Sequence, residues 1–259
     1  MNRPAEDAPE HRTSPVSIAW LVVAAIGIVG FTALTVMMFL KVDFPFDPPL
    51  LATAQQWPAL ALLWEALSQS ANFPLIGIGL GLVVYLFWKK RGREAALVLL
   101  MLAAVTAGSE GVKELVARPR PPGNAENIPG VVYSYPSGHV LEALVILGIV
   151  TIRTWRHSNP AWLRIGFAVL VAVEVVAVGF ARMALNEHYP TDVLAGLFGG
   201  MGALGLYAWL TRPGAWAVRP GGEPRAAPSH DRGPHDRGPN QDRDPSWSPD
   251  ATPSATGRR

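Results

Sequence analysis

The chain predicts an all-α polytopic membrane fold, a bundle of six transmembrane helices with a disordered C-terminal tail. Three observations predict it. Apolar residues make up 49% of the 259 positions and fall in blocks, a bilayer pattern and not the interspersed one of a soluble domain. Residues 16–40 contain no charge, and about 20 apolar residues are enough for a helix to cross a hydrocarbon core. Lysines and arginines gather at the block ends, which keeps them out of the bilayer centre, where one charge costs roughly 2.5 to 3.5 kcal/mol on insertion scales.

A polar N-terminus, residues 1–15, precedes the first span at 17–40. Glu6, Asp7 and Glu10 make it a poorly basic leader, and the apolar run is long for a cleaved signal, so the segment reads as retained. Residues 41–70 contain Phe44-Pro-Phe-Asp-Pro-Pro49 and then an apolar stretch with Trp57 and Trp64. Tryptophan suits headgroup depth, so this stretch reads as interfacial, either a guide for a lipid or a cap on the bundle. Further spans are expected at 71–88, 95–114, 139–152, 164–182 and 192–211, which gives a membrane domain over 16–212. From 213 to 259 the composition turns to Pro, Gly, Ser and mixed charge, and His230-Asp-Arg-Gly-Pro234 is repeated at His235 to Pro239. Such a segment buries too little apolar surface to fold, and its histidines read as solvated and not as metal ligands.

Basic loops are retained on the cytoplasmic side. Lys89-Lys-Arg-Gly-Arg93 and the acid-free Arg153, Arg156 and Arg164 therefore belong inside. Six crossings then place both termini in the cytoplasm and the loops 41–70, 115–138 and 183–191 outside, as expected of a multi-pass protein of the cell (plasma) membrane. The absence of cysteine excludes disulfides, thiolate nucleophiles and Cys-based zinc sites. A net charge of +2, with no basic face, argues against a nucleic-acid partner.

Three stretches carry chemistry, and all three fall on the expected external side: Lys113-Glu-Leu-Val-Ala-Arg-Pro-Arg-Pro121, Pro136-Ser-Gly-His139, and Arg182 followed by His188 and Asp192. Phosphate ester cleavage spreads negative charge over equatorial oxygens and needs fixed positive groups around them. Lys113, Arg120 and Arg182 supply a point charge and two planar forks. Ser137 reads as the N-cap of the fourth span, leaving backbone N–H groups for an anion, and Gly138 permits close approach. His139 suits protonation of a departing alkoxide, since imidazole titrates near neutral pH. His188 and Asp192 lie four apart, with Pro190 marking a helix start between them; a carboxylate on one ring nitrogen leaves the other free as nucleophile or base.

Together these stretches resemble the type 2 phosphatidic acid phosphatase (PAP2) superfamily of membrane-embedded lipid phosphatases, whose motifs are written K-x6-R-P, P-S-G-H and S-R-x5-H-x3-D. Lys113 through Pro121 fits the first and Pro136 to His139 the second. The third fits from Arg182 to Asp192, with Ala181 in the usual serine position. The resemblance implies that His188 attacks phosphorus to give a phosphohistidine, that Asp192 orients it, and that His139 protonates the leaving group. Lys113, Arg120, Ser137, Gly138 and Arg182 would hold the phosphoryl oxygens. No metal or other cofactor is implied, and the chain lacks an Asp-rich magnesium motif or a Gly-rich phosphate loop. The expected substrate is an amphiphilic lipid phosphate or isoprenyl diphosphate, such as undecaprenyl diphosphate, phosphatidate or phosphatidylglycerol phosphate. The alternatives are a phosphotransferase using the same phosphohistidine, and a non-catalytic lipid-binding or transport protein. Glu110, Glu142 and Glu174 lie in or near spans, where carboxylates are functional candidates; contacts between helices are the expectation for Glu142 and Glu174. Arg118 is a further candidate, for a substrate headgroup.

Overall fold

The structure is a computed structural model that describes residues 15–71, 73–122, 133–156 and 160–212. The N-terminal segment to residue 14 and the tail from 213, including the His230 and His235 repeat, lie outside the described residues. The elements are α1 (Pro15–Phe39), α2 (Asp47–Ala54), a 3-10 turn (Pro58–Leu60), α3 (Ala61–Ser70), α4 (Phe73–Trp88), α5 (Gly92–Val116), α6 (Gly138–Arg156), α7 (Ala161–Ala184) and α8 (Pro190–Leu210). Six stretches are long and apolar enough to cross a bilayer: Val16–Phe39, Pro58–Trp88, Gly92–Val116, Gly138–Arg156, Ala161–Ala184 and Pro190–Leu210. The protein is thus an all-helical, multi-pass membrane bundle.

The expected spans all exist, but their limits move. Those expected at 95–114, 139–152 and 164–182 each lengthen at both ends, to 92–116, 138–156 and 161–184. Polar residues there, such as Glu94 and Arg153, pair with each other across the helix ends, so the helices continue past the last apolar residue. Residues 41–70 are more than an interfacial loop: they form α2 and α3, both packed on α7. Pro48 and Pro49 sit in the first turn of α2, where a missing N–H costs nothing. The α3 helix is pinned by Trp64, whose ring centroid lies 5.2 Å from that of Phe180.

Helix α6 is the central rod. Val140, Leu141, Ala143, Val145, Ile146, Ile149 and Ile152 are all buried, against α4, α5, α7 and α8. Without a hydrophobic drive between helices in lipid, close approach has to come from small side chains. The α1–α8 crossing shows this: a Cβ on Gly27 would stand 2.2 Å from the Gly202 nitrogen, and one on Gly205 would stand 2.5 Å from that of Ala24. The α6–α8 crossing repeats it beside the motifs, where a Cβ on Gly196 would lie 2.5 Å from the Ser137 carbonyl oxygen. That approach brings the start of α6 against the start of α8, and the Ser137 N–H donates to the Asp192 carbonyl at 3.0 Å.

Candidate active site

The ends of α5, α7 and the starts of α6 and α8 meet at one end of the bundle, and the three motifs are carried on them. Each helix end is turned by a specific local device. Helix α5 closes with Ala117 at φ 50°, its N–H donating to the Lys113 carbonyl at 2.8 Å. A left-handed alanine is uncommon, and it reverses the chain so that Arg118 and Arg120 follow Lys113 back over the bundle. Helix α7 closes similarly through Asn186 at φ 58°, and the Arg182 carbonyl accepts from the N–H groups of Glu187 at 3.0 Å and His188 at 3.3 Å. Helix α8 begins at Pro190, as its sequence suggests, so His188 lies just outside it and Asp192 in its first turn.

His188 and Asp192 are both fully enclosed. Asp192 is held from two sides: Oδ1 accepts from Arg118 Nη1 at 2.5 Å and Oδ2 from the Tyr189 N–H at 2.8 Å. Its Oδ2 lies 3.7 Å from His188 Nδ1, beyond hydrogen-bond length, and that nitrogen has no closer partner. Burial pushes His188 down to about 4; Arg182 and Arg120 add to the effect, against the pull of Asp192. The imidazole is therefore neutral at neutral pH, with a lone pair available.

Arg118 is engaged by neighbouring side chains. Its guanidinium donates to Asp47 Oδ2 at 2.7 Å, to Thr191 Oγ1 at 2.6 Å and to Asp192, and it lies 4.0 Å from the centroid of the Tyr189 ring. Burial alone would lower its pKa, but Asp192 and Asp47 outweigh that and hold it above the usual value. Asp47 also accepts from the Thr191 N–H at 2.9 Å and the Thr191 hydroxyl at 2.7 Å, so it anchors the first turn of α8 from α2. Arg118 is thus the buckle between the interfacial segment and the carboxylate beside His188.

Arg120 and Arg182 share one carboxylate, Glu187. Arg120 Nη1 donates to its Oε2 at 2.8 Å, Arg182 Nη2 donates to the same oxygen, and Arg182 Nη1 donates to Ser68 Oγ at 2.8 Å. Lys113 donates to Glu110 at 2.6 Å across one helical turn. Its Nζ lies 3.7 Å from where a Cβ on Gly138 would stand, as does Ser109 Oγ. The lysine thus packs against the start of α6 at ordinary van der Waals distance. His139 lies within electrostatic reach of Arg182, His188, Lys113 and Arg120. The structure thus brings Lys113, Arg120, Arg182, His139 and His188 into one neighbourhood, with Ser137 tied to Asp192 beside them.

Ser137 departs from the expected cap. It precedes α6 and its carbonyl accepts from Leu141 at 3.2 Å, but its hydroxyl is buried with no hydrogen-bond partner. Arg120 Nε and Arg182 Nε are also buried and unpartnered. Unspent buried donors are costly in a closed core, and an anion is a group that would satisfy them. Glu142 accepts from Thr106 at 2.8 Å and Glu174 from Ser70 at 2.5 Å, so both acids serve contacts between helices. Sequence reasoning missed Asp47, Ser68 and Glu187. Asp47 had one signal, an acid within an otherwise apolar proline-rich run; Glu187 adjoins His188, and nothing marked Ser68. Among the described residues no group of three His, Asp or Glu is arranged to hold a metal ion.

Residues 94–215 match the family model of the PAP2 superfamily. Over 138 residues, 49% of the chain, the sequence is 28% identical to lipid phosphate phosphatase delta of Arabidopsis thaliana. Over 64 residues, 25% of the chain, it is 41% identical to an undecaprenyl-diphosphatase of Sulfolobus acidocaldarius. The matched stretches span 32% and 27% of those relatives' lengths. Among solved structures, a transmembrane PAP2 type phosphatidylglycerolphosphate phosphatase from Bacillus subtilis is 20% identical with a TM-score of 0.49, covering 74% of this chain and 92% of that one. LpxE of Aquifex aeolicus is 20% identical with a TM-score of 0.48, covering 63% of this chain and 96% of that one.

Proposed function

We propose that this chain, whose residues 94–215 match the PAP2 superfamily, is a PAP2-type membrane-embedded phosphatase that removes the terminal phosphate of a lipid phosphate or isoprenyl diphosphate. The observation that carries the reading is the enclosed, neutral His188 beside Asp192, set among Arg120, Arg182, Lys113 and a second histidine. Neutral imidazole attacks phosphorus through Nε2, and a bond forms between that nitrogen and phosphorus as the bond to the leaving oxygen breaks. His139 gives its proton to that oxygen, and the lipid leaves as an alcohol or a monophosphate. A water then attacks the phosphohistidine while His139 takes up its proton, so that inorganic phosphate departs and both histidines are restored.

Asp192 fixes the imidazole tautomer and steadies the positive charge that develops on it; the 3.7 Å gap closes once substrate is bound, since such bonds tighten in the working complex. Lys113, Arg120, Arg182 and the N–H groups at the start of α6 hold the equatorial oxygens, with the Ser137 hydroxyl as a further donor. The reaction as drawn uses no metal. A lipid substrate is favoured because the site sits at the ends of membrane-spanning helices, and basic-residue placement favours the extracytoplasmic face of the cell membrane for it, with both termini in the cytoplasm.

The test is turnover of a panel of long-chain phosphates and diphosphates by purified protein in detergent with chelator present. Release of free phosphate, with an acid-labile phosphoryl label on His188, supports the reading. Transfer of that label to an added lipid or sugar acceptor without free phosphate would make the protein a phosphotransferase. Absence of turnover, or turnover only with a divalent ion, would overturn it.

A further inference from the structure

The cradle that is to receive a phosphoryl group already holds a negative oxygen. Glu187 Oε2 accepts from Arg120 Nη1 at 2.8 Å and from Arg182 Nη2. The Glu187 side chain is 18% exposed and each arginine side chain 7%, so this is a largely desolvated triad and not a surface pair. To a guanidinium, a carboxylate and a phosphoryl group present the same thing, anionic oxygens at hydrogen-bond distance. We propose that Glu187 is an internal stand-in for the phosphoryl group: it holds Arg120 and Arg182 in place while the cradle is empty, and an incoming phosphate displaces it. The identity of the displacing anion rests on the phosphatase reading.

Two buried guanidiniums that share one carboxylate oxygen would repel each other without it, and the bridging carboxylate offsets that repulsion. The geometry also makes the bridge exchangeable. When the carboxylate withdraws, Arg182 keeps Ser68 at 2.8 Å and Arg120 keeps the Glu187 carbonyl at 3.4 Å, so neither cation is released. Both arginine Nε groups are buried without partners beside the bridge. A tetrahedral anion, with more oxygens than a single Oε2, can collect these unspent donors, which gives phosphate its advantage over the carboxylate. The Glu187 backbone stays fixed, because its N–H donates to the Arg182 carbonyl at 3.0 Å. The side chain can therefore rotate away without shifting His188. After turnover the tethered carboxylate competes at high local concentration for the same cations and speeds the departure of phosphate.

The experiment titrates the full chain in detergent with inorganic phosphate, read as a thermal-melting shift and as inhibition of turnover of a short-chain phosphate ester. Glu187→Gln is expected to bind phosphate about 10-fold more tightly, since a charged competitor is gone, and to lower KM for the ester without raising kcat. Glu187→Asp, which keeps the charge on a shorter arm, should fall between the two and decides alone if the glutamine variant does not fold. Phosphate affinity equal to or weaker than wild type in the folded variants overturns the proposal. Melting needs no turnover: tighter phosphate binding by an inactive protein sinks the phosphatase reading and keeps this one, whereas turnover with unchanged phosphate affinity does the reverse.

Discussion

The two ends of the helix bundle use the same residue types for different ends. At the end opposite the motifs, Arg153 pairs with Glu94, which also pairs with Arg91 at 3.0 Å, and Arg156 donates to the Thr211 and Ala208 carbonyls at 2.8 Å each. Arg156 finishes a helix, satisfying the last carbonyls of α8 and the negative end of its dipole, while Arg153 and Arg91 tie into Glu94. At the motif end, Arg120 and Arg182 share one carboxylate and keep buried donors unspent, and Ser137 and His188 each keep a buried polar atom without a partner. The contrast is one of degree, since the Tyr207 hydroxyl, within electrostatic reach of Arg153 and Glu94, is also buried without a partner; on the proposed reading, the motif end keeps its larger set of unspent atoms for a ligand to complete.

The comparison breaks most sharply at His188. His188→Ala should lower turnover by about 10^4-fold or more, measured as phosphate release; a rate near wild type would reassign the nucleophile. A paired substitution then contrasts the two ends. Arg182→Lys loses a planar fork and should cut kcat/KM by about 100-fold, whereas Arg156→Lys should leave the rate within about twofold. Equal losses at both ends would mean the unspent donors have no role.

Stability gives the next contrast. Arg118→Ala strands Asp47 and Asp192, both buried, and should destabilise by about 3–5 kcal/mol in denaturant. Arg91→Ala removes a half-exposed partner from a Glu94 that keeps Arg153, and should cost under about 1 kcal/mol. Acid should then find the motif end first. His188 is held at about 4 in the fold against 6.5 in the free side chain, so the unfolded chain binds more protons between those values. The stability due to keeping it neutral is complete above pH 6.5 and is lost as pH falls toward 4. The melting temperature should drop over that window, and His188→Asn should flatten the drop. Among the motif positions the smallest change is expected for Ala181→Ser, a fully buried position whose added hydroxyl should alter the rate only about a few-fold; a sharp fall would show the third motif is misplaced.

Legibility followed periodicity and chemistry. Val16–Phe39 could be read from its uncharged apolar run, and Pro190 marked the start of α8, because both depend on local rules of bilayer length and proline geometry. The segment 41–70 could not be read as two packed helices, because its burial depends on α7, which lies more than 90 residues away in the chain. Arg118 and Arg120 show the same limit at single-residue scale. They are two positions apart with the same chemistry, yet the left-handed Ala117 and the placement of Asp47 send one to a structural buckle and the other to the cradle.

The sequence by itself determined which residue types were present and which end of each apolar span they occupied, because transfer of charge into hydrocarbon costs enough to fix their depth. Only the tertiary structure decided which cation met which carboxylate. Ion pairing depends on distances of a few ångströms between separate helices, and those are set by the small-residue crossings at Gly27, Gly196 and Gly205 and not by any local pattern.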